Sequence, residues 1–86
     1  MEVSFVQQYD PCVMGKVIRM IRKRKKKTQE VMSGFAGIDR THWARIEAGT
    51  LVASVETLWK IAEALDLRLS ELFRLVEEEL GRETQE

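Results

Sequence analysis

Apolar residues recur at helical spacing in three long stretches of this chain, and each stretch predicts an amphipathic helix. The first helix covers about residues 13–24. The second begins after Ser54 and the third near Ser70, because each serine hydroxyl can accept a backbone N–H of the turn that follows it. The apolar stripes consist of Met14, Ile18 and Ile21 in the first helix, of Val55, Leu58, Ile61, Ala62 and Leu65 in the second, and of Leu69, Leu72, Phe73, Val76 and Leu80 in the third.

Two shorter helices are predicted between the first and second stripes from the residues at their ends. Thr28 is the predicted N-cap of a helix of about residues 29–35, and Asp39 is the predicted N-cap of a helix of about residues 40–48. Gly37 marks a tight turn between the two helices, and Gly49 closes the second one as a C-terminal glycine.

The five helices predict an all-α domain of about residues 14–80. Residues 1–13 form an arm of uncertain structure, since Asp10-Pro11 is typical of a break before a helix. The polar residues 81–86 are predicted to be a frayed C-terminal tail. A chain of 86 residues is long enough for one such domain and no more.

Charge is distributed unevenly although the formal net charge is zero. Residues 1–48 hold ten Lys and Arg against five Asp and Glu, whereas residues 49–86 hold four against nine. Six consecutive cations, residues 22–27, supply most of the basic excess. A run of like charge is most often a solvated face, but a neutral protein with one basic half can also attract a polyanion. Both interpretations stay open at this point.

Few residues are available for catalysis or metal binding. Cys12 is the single cysteine, so neither an internal disulfide nor a cysteine-based zinc site is expected. His42 is the single histidine, and one histidine cannot supply a catalytic triad or a multi-ligand metal site. No phosphate-binding loop and no apolar run of transmembrane length is present. We therefore expect a cytoplasmic protein that is not an enzyme and that uses no cofactor, metal or membrane.

Residues 28–49, TQEVMSGFAGIDRTHWARIEAG, resemble the helix-turn-helix of the Cro/repressor-type (XRE-like) transcriptional regulators. The downstream SVETLWKIAEALDLRLSELF is similar to the fourth and fifth helices of that family, so the resemblance covers roughly residues 14–80. The start of the third helix, Asp39-Arg40-Thr41, also resembles the small controller proteins of restriction–modification systems. The motifs that carry the resemblance are Thr28-Gln29-Glu30, Ser33, Gly37-Ile38, Asp39-Arg40, and Arg45-Ile46-Glu47 with Gly49.

The resemblance implies a five-helix, lambda-repressor-like DNA-binding domain whose second and third helices form the helix-turn-helix. The third helix would lie in the major groove of double-stranded DNA, with Arg40, Thr41 and Arg45 in contact with bases. Arg40 is expected to bind a guanine, and Thr41 either a thymine methyl group or a phosphate. Arg45 either contacts a base or forms a salt bridge with Asp39 or Glu47.

The same docking would lay the end of the first helix and the start of the second beside the DNA backbone. The cationic run and the donors at a helix N-terminus would then bind phosphates. For His42 a phosphate contact and plain surface are both open, and Glu47 is expected to orient an arginine or a neighbouring backbone segment. The residues expected to contact the DNA backbone are Arg22, Lys26, Lys27, Thr28, Gln29 and His42.

The acidic half of the chain is the predicted dimer surface, because it would be kept away from DNA. The resemblance implies a homodimer on a pseudo-palindromic operator, with its two third helices about 34 Å apart. Trp59 lies at the edge of its apolar stripe, which suits either a subunit interface or ordinary core. The predicted interface residues are Trp59, Leu72, Leu75, Val76 and Leu80.

An alternative function is a protein-interaction module on the same scaffold, such as an antitoxin that neutralises a partner. The apolar residues of the N-terminal arm, residues 1–13, would then be the segment that binds the partner protein. The observation that would distinguish the two hypotheses is whether removal of residues 1–12 abolishes binding of a partner protein while it leaves DNA binding intact.

Overall fold

The structure, a computed structural model, describes residues 8–84, except for the side chain of Thr84. Five helices and no strand are present in this range. The all-α prediction is confirmed. The helices are α1 (Pro11–Arg24), α2 (Gln29–Ala36), α3 (Arg40–Glu47), α4 (Val55–Ala64) and α5 (Leu69–Thr84).

The start of α1 lies two residues before the predicted one because Asp10 caps the helix. The Asp10 carboxylate accepts the backbone N–H of Cys12 at 2.9 Å, and Pro11 occupies the first helical position, where a missing N–H costs nothing. Asp10 is the extended residue just before the helix and Pro11 is its first residue, so residues 11–13 belong to α1 rather than to the predicted arm. Residues 1–7 of the predicted arm lie outside the described residues.

The predicted caps of α2 and α4 are confirmed by side-chain hydrogen bonds. The Thr28 hydroxyl accepts the backbone N–H of Val31, and the Ser54 hydroxyl accepts that of Thr57, both at 3.1 Å. Asp39 occupies the N-cap position of α3, but its side chain makes no capping hydrogen bond. The boundaries of all three helices agree with the predicted ones to within two residues.

The predicted cap of α5 is wrong. This helix begins at Leu69, so Ser70 lies inside its first turn. The Glu71 carboxylate instead accepts the backbone N–H of Arg68 at 3.0 Å, which satisfies a donor just before the helix.

The C-terminal end of α5 is also longer than predicted. Residues 81–84, expected to be a frayed tail, continue the helix to Thr84. Lys16 of α1 lies 3.1 Å from the Glu79 carboxylate and 2.8 Å from that of Glu83. These two ion pairs tie the last turns of α5 to α1.

The core lies where α1 packs on α3 and α5, α2 packs on α3 and α4, and α4 packs on α5. Gly15 sets the distance between α1 and α3, because a Cβ there would lie 2.3 Å from the carbonyl oxygen of Glu47. Val55 was predicted to face the core but is exposed. The largest fully buried side chains are Trp43, Met14, Ile18, Met32, Ile46, Ile61, Leu65, Leu72 and Val17.

Candidate nucleic-acid interface

The turn between α2 and α3 is closed by two backbone hydrogen bonds. The Ile38 N–H donates to the Ser33 carbonyl at 3.1 Å and the Gly37 N–H donates to the Gly34 carbonyl at 3.2 Å. Gly37 adopts the left-handed conformation, with φ 70°, at the position where a tight turn was predicted. This turn holds α2 and α3 as one helix-turn-helix unit, with α3 presented at the surface.

The outer side of α3 carries the three predicted base-contacting residues. Arg40, Thr41 and Arg45 are all exposed. The side chains of these three residues make no hydrogen bond or ion pair within residues 8–84, so Arg45 is not held by Asp39 or Glu47; only its backbone carbonyl accepts a side-chain donor, the Thr50 hydroxyl. Two guanidinium groups and a hydroxyl are therefore available to a ligand along a single helix.

The inner side of α3 is fixed by the buried carboxylate of Glu47. Arg22 donates to it twice, from Nε at 2.6 Å and from Nη2 at 3.0 Å. Gln29 donates from Nε2 at 2.9 Å, and Trp43 donates from its indole nitrogen. One carboxylate thus joins the end of α1, the start of α2 and helix α3, as the expected orienting role of Glu47 requires.

The pKa of Glu47 lies below its ordinary value. Burial of the carboxyl acts to raise this pKa, but the hydrogen bonds from Arg22, Gln29 and Trp43, together with the charge of Arg22, act in the opposite direction and prevail. The carboxylate is therefore ionised at neutral pH. In this form it accepts all of the donors that surround it.

Five members of the cationic run are exposed, and the sixth is buried. Residues 23–27 present their ammonium and guanidinium groups to solvent. Arg22, by contrast, has a side chain that is 11% exposed, and its Nη1 also donates to the Lys27 carbonyl at 2.9 Å. Most of the Arg22 guanidinium is thus engaged inside the protein, and its position does not support the phosphate contact expected from the sequence.

The remaining predicted backbone contacts lie at the start of α2 and in the first turn of α3. The Thr28 side chain is exposed and its oxygen caps α2. Gln29 is half-buried, with one N–H of its amide directed to Glu47. His42 is half-buried in the first turn of α3.

The predicted dimer residues fall into two groups. Trp59 is 58% exposed, as an interface residue would be. Leu72 and Val76 have exposures of 0% and 2% and belong to the core of the protomer, so no partner can reach their side chains. Leu75 and Leu80 are half-buried.

Two surface recesses involve residues that the sequence analysis did not single out. One, of about 430 Å³, is lined by Trp59, Glu63, Leu67, Arg68, Leu69 and Ser70. The other, of about 250 Å³, is lined by Arg19, Arg22, Gln29, Ala44, Glu47 and Ala48. Their lining residues come from different helices, so periodicity within one helix gives no signal for either recess.

Other kinds of site find little support in residues 8–84. No group of three or more His, Cys, Asp or Glu is arranged to hold a metal ion within this range. None of the helices described is long and apolar enough to cross a membrane.

Comparison with known proteins points to one class of protein. A family model described as a helix-turn-helix domain matches residues 15–78. The control protein C.MunI of a Mycoplasma species is 36% identical over 66 residues, which cover 76% of this chain and 89% of that protein. The HTH-type transcriptional regulator SlrR of Bacillus subtilis is 32% identical over 62 residues, which cover 71% of this chain and 41% of SlrR.

Solved structures of similar proteins agree with the fold described above. The restriction–modification controller protein C.AhdI from Aeromonas hydrophila superposes with a TM-score of 0.72 at 33% identity, over 74% of this chain and 97% of that one. The wild-type controller C.Esp1396I superposes with a TM-score of 0.80 at 24% identity, over 88% of this chain and 99% of that one. At that identity the second likeness concerns the fold alone.

Proposed function

The chain belongs to the XRE-like helix-turn-helix family of DNA-binding transcriptional regulators, and from this premise we propose that it is a sequence-specific regulator of the restriction–modification controller type. It binds a pseudo-palindromic operator as a homodimer. The observation that carries the proposal is the outer side of α3, where Arg40, Thr41 and Arg45 stand exposed without a partner in the described part of the chain. C.Esp1396I, which shares the fold, has been crystallised as a tetramer on its 35-base-pair operator.

The base contacts are made from the outer side of α3. A major groove about 12 Å wide admits one helix, and the first turn of a recognition helix meets the base edges. Arg40 binds the O6 and N7 atoms of a guanine with its two-pronged guanidinium, and Thr41 packs its methyl group on a thymine. Arg45, one turn further along the same side, contacts the next base pairs.

The backbone contacts surround this helix. Lys26 and Lys27 reach phosphates with exposed ammonium groups, and Thr28 and Gln29 offer donors at the N-terminus of α2, where the helix dipole favours an anion. His42 adds a donor from α3. Arg22 is assigned a different role, because it binds Glu47 and so positions α2 and α3. The phosphates are bound by Lys26 and Lys27 and not by Arg22.

The dimer forms through the recess around Trp59, on the acidic half of the chain. This recess has largely apolar walls from Leu67 and Leu69, and Glu63 and Arg68 bring one charge of each sign to its edge. In a twofold contact the same patch meets itself, so the Trp59 side chain of one protomer enters the recess of the other and Glu63 pairs with Arg68 of the second copy. Leu75 and Leu80 flank this contact, whereas Leu72 and Val76 stay inside each protomer.

Selection from random duplex DNA tests the proposal. Bound fragments are sequenced after selection with wild type, Arg40→Ala and Lys27→Ala, at several salt concentrations. Wild type should select a palindromic motif. Arg40→Ala should relax one base position in each half-site at a cost of about 1–3 kcal/mol, whereas Lys27→Ala should weaken binding uniformly across sequences.

Two results would oppose the proposal. Binding that selects no motif and disappears as salt rises would leave only an electrostatic patch. An Arg40→Ala variant with the wild-type motif would remove Arg40 from the base contacts. In the first case the alternative, a protein-interaction module that binds its partner through residues 1–13, becomes the hypothesis to test.

A further inference from the structure

The recess of about 250 Å³ beside α3 is lined by one charged side chain, that of Arg19, that has no partner in the described part of the chain. Glu47 and Arg22 form its floor and are paired with each other. Arg19 stands at its edge, exposed, and has no hydrogen-bond or ion-pair partner for its side chain within residues 8–84. Three other arginines differ in this respect, since Arg22, Arg74 and Arg82 each pair with a carboxylate.

The wall opposite Arg19 is built of small side chains. Ala44 and Ala48 line the recess on α3, and Ala48 is exposed. An arginine side chain extends roughly 6–7 Å from its Cα, and its guanidinium binds phosphate oxygens through two parallel N–H groups. Arg19 can therefore pass beside the two alanines and reach the surface that flanks the C-terminal half of α3.

Beyond Arg45, no cation of α3 or of the following loop serves this part of the surface. After Arg45 the chain has no Lys or Arg until Lys60, so residues 46–54 contribute no positive charge. DNA that lies along α3 would have a phosphate near the end of this helix as well as near its start. Arg19 can therefore supply a cation to the phosphate expected near the end of α3.

We propose that Arg19 is a phosphate-binding residue of the DNA interface and contacts one backbone phosphate per half-site from across the Ala44–Ala48 wall. The inference rests on the proposed DNA binding and extends it to α1. Its ligand is a phosphodiester of the operator, and the contact adds affinity and register without selecting bases.

The salt dependence of binding gives the first test. The affinity of wild type, Arg19→Ala and Arg74→Ala for one selected operator is measured between about 50 and 300 mM salt. Arg19→Ala should bind several-fold more weakly, and its slope of log affinity against log salt should be smaller by about 0.9 per bound protomer. Arg74→Ala removes the same charge from α5 and should keep the wild-type slope.

The second test locates the contact on the DNA. Single phosphates of the operator are replaced by neutral methylphosphonates. One position per half-site should weaken wild-type binding but have no further effect on Arg19→Ala, whereas all other positions should act alike on both proteins. Inorganic phosphate at millimolar concentration should leave both affinities unchanged relative to chloride at equal ionic strength, because a free anion cannot replace the duplex.

The outcomes separate this inference from the proposed function. If wild type selects a motif but Arg19→Ala keeps both the wild-type slope and the full set of sensitive phosphates, Arg19 belongs to the solvated surface and the inference is overturned. If wild type selects no motif, the proposed function fails and the inference fails with it. Because Arg19 is exposed and unpaired, its loss should leave the thermal midpoint unchanged, which shows that weaker binding does not come from unfolding.

Discussion

At the scale of single residues, the buried carboxylate of Glu47 ties α3 to α1 and α2. Donors from Arg22, Gln29 and Trp43 converge on its two oxygens. A buried ion pair adds little over an apolar replacement, but removal of one partner leaves the other charge buried without compensation. The network therefore matters most through the position that it imposes on α2 and α3.

Glu47→Gln should make this dependence visible as a function of pH. At pH 7 we expect a loss of about 3 kcal/mol in the free energy of unfolding, because Arg22 stays buried without a counter-charge. The folded-state pKa of Glu47 lies below its ordinary 4.5. The stability that its ionisation contributes is thus complete above pH 4.5 and is lost as pH falls through the folded-state pKa.

Urea denaturation between pH 7 and pH 3 measures this effect. The difference between wild type and Glu47→Gln should be constant down to about pH 5 and should shrink below pH 4.5. Glu56→Gln is a matched control, since Glu56 is exposed on α4 and its loss should change stability by less than about 0.5 kcal/mol. A difference between wild type and Glu47→Gln that persists unchanged at pH 3 would contradict the assigned pKa direction.

At the scale of helices, two glycines of similar local context have opposite roles. Gly15 lies inside α1, and a Cβ on it would be 2.3 Å from the Glu47 carbonyl oxygen and 2.4 Å from that of Ile46. Gly34 lies inside α2, and a Cβ on it would meet nothing within 4 Å. The first glycine permits a close helix crossing, whereas the second only weakens its helix.

Substitution of each glycine by alanine should therefore change stability in opposite directions. Gly15→Ala should cost about 2–3 kcal/mol, because backbone atoms of α3 must move away. Gly34→Ala should stabilise the protein by about 0.5–1 kcal/mol through helix propensity. Thermal and urea unfolding measure both changes, and each variant serves as the control for the other. A gain in stability for Gly15→Ala would show that α1 and α3 can separate at no cost.

The C-terminal ends of α1 to α4 have the same hydrogen-bond pattern and the same left-handed closing residue, and at the end of α1 that residue is a lysine, Lys26. Each helix ends in a pair of hydrogen bonds, in α1 from the Lys27 N–H to the Arg22 carbonyl and from the Lys26 N–H to the Lys23 carbonyl. The residue that closes each end has positive φ. In α1 that residue is Lys26, at φ 57°, where glycine is the unstrained choice. The four residues are Lys26, Gly37, Gly49 and Asp66.

Lys26→Gly should consequently raise stability and weaken DNA binding. We expect a gain of about 0.5–1 kcal/mol in unfolding free energy from the relieved backbone, with a salt slope smaller by about 0.9 per protomer from the lost cation. Lys25→Gly removes an equal charge at φ −82° and should lower stability instead. Equal stability changes in the two variants would show that the backbone of Lys26 is not strained.

At the scale of the whole molecule, the two proposed partners, DNA and a second copy of the chain, are assigned to different halves of the sequence. The exposed cations of residues 23–27 and the outer side of α3 form the proposed DNA side, and the recess at Trp59 lies on the acidic half. The two proposed surfaces share no residue, so we expect that binding to DNA and association of two copies can occur together.

Trp59→Ala should accordingly dissociate the dimer at concentrations at which wild type is associated. A buried tryptophan at the centre of an interface is worth about 2 kcal/mol or more, which corresponds to a dissociation constant at least about 30-fold higher. Analytical ultracentrifugation over a range of concentrations measures it. Phe35→Ala removes an aromatic residue of comparable exposure from α2 and should leave association unchanged; the reverse result would move the interface to α2.

Much of this protein follows from local pattern in the sequence. Apolar periodicity, the Thr28 and Ser54 caps and the left-handed glycines determine five helices and the helix-turn-helix, because each depends on residues a few positions apart. The exposure of the cations in residues 23–27 and on α3 can also be predicted from local sequence. The extension of α5 to Thr84 does not, since it is supported by Lys16 about sixty residues earlier.

Tertiary structure alone decided which polar and apolar side chains remain available. Arg22 and Lys26 are neighbours in one cationic run, yet the first is drawn to Glu47, 25 residues further along the chain, and the second stays in solvent. Leu72 and Trp59 were both expected at the dimer interface, yet only Trp59 is at the surface. The physical reason is the same in each case. Whether a side chain is buried depends on the side chains of other helices that pack against it, and the apolar periodicity of one helix does not show which helices those are.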